Sequence, residues 1–201
     1  MTEANITWLT KHVATGGDLS FIPNKAFRQM QDLLSMGIGL VIDCRKEVDD
    51  WDIWSQYPDT EYLYLPVEDV AGGHLPFEHF DAAVYAARDV IEKGGTVFAH
   101  CHMGINRGPS TAMAILMDQG MTPESAFSLI RRERPIAGIA FAVDAVRAHY
   151  AREGWKADTA EWRVDQFIEH MDRVYPKSAQ MAVRHTMRAK HMEDTQEMGM
   201  H

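Results

Sequence analysis

Cysteine is nearly absent from this chain of 201 residues: only Cys44 and Cys101 occur, too few for a disulfide framework. Long apolar runs are missing as well. None approaches the roughly 20 residues that span a bilayer, and the opening MTEANITWLTKH lacks the basic start and apolar core of a signal peptide. The expectations are therefore no membrane association and a cytoplasmic setting. Positive charge is scarce. Twenty lysines and arginines stand against 29 aspartates and glutamates, a formal net charge of −9. A nucleic acid or an anionic membrane surface would need a basic face to displace counterions, so this balance argues against both. It leaves room for a single phosphate group where the positive potential is local. Ten histidines are present, but none falls in ligand spacing with cysteines or carboxylates, so neither a metal nor another cofactor is expected. His74 and His79 read as surface residues.

What is present is a soluble globular composition, 46% hydrophobic and 24% charged. Residues 5–15 read as one or two short strands before the turn at Gly16-Gly17-Asp18. Helical spacing of Phe27, Met30, Leu33 and Leu34 predicts a helix over 24–36. The apolar run 38–44 predicts a buried strand. Residues 45–60 are polar, aromatic and turn-rich, which suits a surface segment near a cleft. Within them Trp51 and Trp54 fit an aromatic wall and core anchors equally well. Residues 62–67 predict a strand that Pro66 places toward a sheet edge. A loop over 68–74, an amphipathic helix over 76–92 and a short buried strand over 96–100 follow. Further helices are expected over 109–119, from a Thr122 N-cap to about residue 134, and over 141–152. The alternation predicts an α/β fold, with a central, mostly parallel sheet of four to five strands flanked by helices. Residues 155–201 form a C-terminal helical extension, with helices expected over 161–174 and 178–192 and a frayed tail. Its methionines, Met171, Met181, Met187, Met192, Met198 and Met200, suit packing onto the domain or onto a second copy.

The chemistry concentrates in Val97-Phe98-Ala99-His100-Cys101-His102-Met103-Gly104-Ile105-Asn106-Arg107-Gly108-Pro109-Ser110. A buried strand delivers Cys101, five residues form a loop, Arg107 follows and a helix begins. Successive N–H groups of a tight loop, next to a helix N-terminus, make an anion cradle. Its phosphate-binding residues are His102, Met103, Gly104, Ile105, Asn106 and Arg107. Gly104 permits a backbone that other residues resist, and Arg107 offers a planar fork for two phosphate oxygens. The same field favours thiolate over thiol at Cys101, and a thiolate aimed at phosphorus is an activated nucleophile. His102 reads either as a contact to substrate or as a solvent-facing side chain. The alternative for Cys101 is an inert buried cysteine. Chance yields this pattern at roughly 5 in 10,000 before the strand and helix are required, which favours the functional reading.

These residues resemble the His-Cys-x5-Arg signature of the protein tyrosine phosphatase superfamily, and most of all its dual-specificity branch. The resemblance runs from Ala14 to about Tyr150 and makes residues 1–154 a dual-specificity phosphatase-like catalytic domain. It implies metal-independent hydrolysis of a phosphomonoester through a cysteinyl-phosphate. Leu65-Pro66-Val67-Glu68-Asp69 resembles the segment that supplies the family's general acid. Asp69 lies 32 residues before Cys101, similar to the separation in compact members, and Glu68 is its rival. The resemblance implies supporting roles for His100, which orients the loop and helps keep Cys101 ionised, and for Ser110 or Thr111. Cys44 resembles the second cysteine that traps the oxidised nucleophile in some phosphoinositide phosphatases; the other reading is a core cysteine.

Two departures stand out. Gly108 follows Arg107 where most relatives carry a hydroxyl, which implies slow breakdown of the intermediate. The stretch Arg134-Pro135-Ile136-Ala137-Gly138-Ile139 lacks the common Pro-Asn. The loop has no lysine, which argues against a polyphosphorylated lipid. Asn106 before Arg107 resembles the RNA 5′-triphosphatases, against which the net acidity weighs. The expected substrates are a phosphorylated protein first, a small phosphomonoester second and an RNA 5′-phosphate third. A phosphate-binding pseudophosphatase is the non-enzyme alternative, opposed by the joint presence of Cys101, Arg107 and Asp69.

Overall fold

A computed structural model describes residues 3–70 and 73–176. Five strands form one sheet: β1 (Ile6–Trp8), β2 (Val13–Gly16), β3 (Ile38–Arg45), β4 (Glu61–Val67) and β5 (Thr96–His100), in the order β1-β2-β5-β3-β4. Only β1 runs antiparallel to its neighbour. The expected α/β architecture is thus present at five strands. Pro66 lies in β4, an edge strand, where a missing N–H costs no ladder bond on the open side.

Seven helices complete the described residues: α1 (Pro23–Ser35), α2 (Trp51–Trp54), α3 (Phe77–Glu92), α4 (Arg107–Asp118), α5 (Pro123–Glu133), α6 (Ala142–Arg152) and α7 (Ala157–Val174). Helix α4 starts at Arg107, two residues before the expected Pro109. Proline is still within the first turn, where its absent N–H goes unmissed. Thr122 caps α5 as expected, its hydroxyl accepting from Ser125 N at 3.2 Å. Helix α7 begins four residues before the expected 161. The helix expected over 178–192, the frayed tail and the later methionines lie outside the described residues. No helix among the described residues is long and apolar enough to cross a membrane.

Strand side chains alternate between two faces, and each face has its own core. Leu40, Ile42 and Cys44 of β3, with Val97 and Ala99 of β5 and then Cys101, join the larger cluster, which α3 to α7 cover. Val41 and Phe98 point the other way, into a smaller cluster with Met30 and Leu33 of α1 and Trp54 of α2. The same alternation puts Asp43 and His100, paired in register across β3 and β5, on the α1/α2 side. The two cysteines therefore share a face, while His100, the histidine beside Cys101, belongs to the other.

Candidate functional site

The candidate site lies beyond the C-terminal ends of β5, β3 and β4, where parallel α/β sheets place ligands. Cys101 leaves β5 almost wholly buried. The loop after it is held by its carbonyl groups. The His102 carbonyl accepts from Asp18 N at 3.1 Å, and that of Ile105 from Gly138 N at 2.8 Å and Ile139 N at 3.1 Å. Arg134 holds the two between, donating from Nη2 to Met103 O at 3.2 Å and from Nε to Gly104 O at 2.6 Å. In a planar trans peptide the next N–H points opposite to its carbonyl. The N–H groups of Met103, Gly104, Ile105 and Asn106 are thereby turned away from these partners, and none donates to another described backbone carbonyl. Gly104 has φ +63°, and a Cβ there would come within 2.4 Å of Gly16 and of Arg134 Nη2, so no larger residue fits. Ile139 also adopts a left-handed φ of 50°, a strained state for a β-branched residue that its bond to the loop helps to hold.

Arg107 opens α4 with its side chain buried. Its two terminal nitrogens meet the Glu47 carboxylate at 2.8 and 2.9 Å, and Nη1 also reaches Val67 O at 3.0 Å. Its Nε has no hydrogen-bond partner among the described residues and lies 3.7 Å from Asp69 Oδ2. Burial works against the Arg107 charge, but the Glu47 hydrogen bonds and the nearby Cys101 and Asp69 raise its pKa above the ordinary value. Asp69 is tied to the loop as well, its Oδ1 accepting from Asn106 Nδ2 at 3.1 Å. Glu68, its rival, instead pairs with Lys46, both side chains exposed. Cys101, Arg107, Asn106 and Asp69 are thus brought into one place from β5, α4 and the end of β4.

Behind the loop sits a buried ionic cluster that the sequence reading missed. Arg45 donates to both oxygens of Asp43 at 2.9 and 2.6 Å and to Asp50 Oδ2 at 2.5 Å. It also lies 3.5 Å from Asp18. Asp18 in turn meets His102 Nδ1 at 2.7 Å, so His102 is anchored rather than free in solvent. Burial opposes the Asp43 charge, yet His100 and the Arg45 guanidinium hold its pKa below the ordinary value. His100 is pushed down by its burial. That shift favours the neutral ring at neutral pH.

The hydroxyls after Arg107 have partners of their own. Ser110 Oγ accepts from Phe141 N at 3.2 Å, facing α6. Thr111 Oγ1 donates to Arg107 O at 3.0 Å and meets His79 Nε2 at 2.9 Å and Cys44 Sγ at 3.4 Å. His79 is buried rather than on the surface, because α3 packs its inner face on α4, and burial lowers its pKa to about 4. His74 is the exposed one, paired with Asp144. The tryptophans divide: Trp54 is 2% exposed in the core and Trp51 56%. Glu47 and Arg134 had readable signals: a charged residue just past a buried strand, and an arginine before proline at a helix end.

Residues 21–143, more than half of the chain, match the family model described as dual specificity phosphatase, catalytic domain. The chain belongs to the dual specificity phosphatase family. Over 106 residues it is 29% identical to a probable rhodanese domain-containing dual specificity protein phosphatase of Dictyostelium discoideum, a stretch covering 52% of this chain and 21% of that protein. Over 74 residues it is 38% identical to human dual specificity protein phosphatase 5, covering 36% and 19%. The chain thus spans about a fifth of the length of these curated relatives. Among solved structures it is similar to PTPMT1 in complex with PI(5)P, with a TM-score of 0.64, 17% identity and coverage of 75% of this chain and 97% of that one. Human DUSP28 gives 0.60, 19%, 74% and 95%. These likenesses establish the phosphatase fold.

Proposed function

We propose that this dual specificity phosphatase domain is a metal-independent enzyme that hydrolyses a phosphomonoester through a covalent intermediate on Cys101. The observation that carries the reading is the loop itself. Four consecutive carbonyls are held outward, and the four opposing N–H groups are left to a phosphate above Cys101. Cys101 Sγ forms a bond to phosphorus as the bond to the leaving oxygen breaks. Asp69, steadied by Asn106, gives that oxygen its proton, then takes one from the water that cleaves the cysteinyl-phosphate. Arg107 and the loop N–H groups hold the three remaining oxygens as charge shifts. Arg134 adds positive charge under the loop, since its four hydrogen bonds go to Gly104 O, Met103 O, Asn5 and Thr7, none of them a carboxylate.

A phosphorylated protein is the substrate class we favour, with a small phosphomonoester second. The acidic groups around Arg107, namely Glu47 and Asp69, disfavour a second phosphate nearby, which weighs against polyphosphorylated lipids and RNA. Cys44 and Cys101 are both free thiols on one face of the sheet. Their sharing one core cluster supports a reading in which Cys44 reversibly protects Cys101 as a disulfide under peroxide.

The test is p-nitrophenyl phosphate turnover without added metal. Cys101→Ser is expected to abolish it. Asp69→Asn is expected to lower it by about 10²-fold or more. Turnover that survives Cys101→Ser ends the covalent reading, and unchanged turnover in Asp69→Asn moves the acid elsewhere.

A further inference from the structure

On the face of the sheet opposite Cys101, two buried polar atoms have no hydrogen-bond partner among the described residues: Nε1 of Trp54 and Nδ1 of His100. Their side chains line one cavity of about 10 Å³, together with Asp50, Gly17 and Phe98. Trp54 is 2% exposed and His100 3%. An indole N–H can only donate, and leaving it unpaired in the core is costly.

The His100 ring is fixed in two directions. It lies flat against Phe98, with centroids 5.2 Å apart and planes within 7°. Its Nε2 lies 3.8 Å from Asp43 Oδ1. Asp43 is held ionised by Arg45, so the single ring hydrogen of a neutral His100 belongs on Nε2, facing the carboxylate. Nδ1 is then left as an acceptor. Trp54 supplies a donor and His100 needs one, and neither reaches the other directly.

We propose that one internal water molecule occupies this cavity, accepting from Trp54 Nε1 and donating to His100 Nδ1 and to the Asp50 carboxylate, so that Trp54 is a positioning residue for the nucleophile. The volume is that of a single water site, and three hydrogen bonds are the usual complement of a buried water. Asp50 is suited to the third bond because it already joins the cavity to the ionic cluster, through Arg45 Nη2 at 2.5 Å. The resulting chain runs Arg45, Asp50, water, His100. It fixes the imidazole from the Nδ1 side, while the Asp43 carboxylate, 3.8 Å from Nε2, orients it by charge alone. His100 is joined to Cys101 by a peptide bond, so a set ring holds the last turn of backbone before Sγ. Trp54 touches no substrate in this scheme; it acts through the water and His100.

The role assigned to Cys101 rests on the proposed function, but the water does not, and the experiment separates them. In the ¹⁵N-labelled full chain at neutral pH, His100 is expected to show a protonated Nε2 and a bare Nδ1. The Trp54 indole N–H is expected to show magnetisation transfer from a long-lived water. Trp54→Phe keeps most of the ring and removes the donor. It should shift His100 toward a mixture of tautomers and lower kcat for p-nitrophenyl phosphate by up to about tenfold, with KM nearly unchanged. A protonated Nδ1 in the unmodified protein, no water at the indole, or an unaltered His100 signature in Trp54→Phe overturns the proposal. The wild-type spectra decide the water even if no turnover is found.

Discussion

At Gly108 the departure from the family pattern acquires a physical cause. A Cβ there would lie 2.9 Å from the His100 backbone and 3.0 Å from Ala99 O, because α4 packs directly against β5. Restoring the missing hydroxyl by Gly108→Ser therefore forces helix and strand apart. We expect it to lower stability by about 1–3 kcal/mol, read as a lower urea midpoint, and not to accelerate turnover. The neighbouring hydroxyls are committed elsewhere, Ser110 to Phe141 N and Thr111 to Arg107 O and His79. The wild type should accordingly show a burst of nitrophenol before a slower steady state. A linear progress curve from the first milliseconds would count against slow breakdown of the intermediate.

Helix α7 poses the question at the level of elements. The family pattern fades near Tyr150, which suggests a catalytic unit ending at 154 with an appended helix. Yet Val164 and Phe167 of α7 are fully buried, and Phe167 meets Phe127 of α5 edge-on, with centroids 5.8 Å apart at 84°. Tyr175 closes over Phe127 and lies beneath the Arg131 guanidinium, 4.0 Å from the ring centroid. Phe167→Ala is expected to cost about 3–5 kcal/mol in urea unfolding. Ending the chain at 154 should expose the α5 surface and give aggregated protein. A truncated chain with an unchanged unfolding midpoint would support the division at residue 154.

The pH response belongs to the whole molecule. His79 carries a native pKa lowered to about 4 by burial, against an ordinary 6.5. Between those values the unfolded chain binds a proton that the native state refuses. Stability is thus unaffected above about pH 6.5 and falls as pH drops toward 4, by up to about 3 kcal/mol from this group. His100, shifted the same way, steepens the fall. Urea midpoints at pH 7 and pH 4.5 should differ accordingly, and His79→Gln, which can still bond Thr111 but does not titrate, should narrow the gap. An equal gap in both proteins would show that other groups set the acid limit.

Much of this architecture could be read along the chain. Apolar runs, helical spacing and the Thr122 cap located every long described element, because such signals act within a turn or a strand. The alternation of β5 already puts Cys101 and His100 on opposite faces, and Cys101-to-Arg107 reads as strand, loop and helix without any distant contact. Tertiary structure decided the rest. Glu47 meets Arg107 across 60 residues, Asn106 meets Asp69 across 37, and Arg134 reaches back 30 to clamp Gly104. Burial of His79, the separate fates of Trp51 and Trp54, and the inclusion of α7 in the core likewise depend on which element lies against which. Strand order and helix packing set those neighbours, and a side chain's charge state or orphaned hydrogen bond is a property of its neighbours, not of its position in the chain.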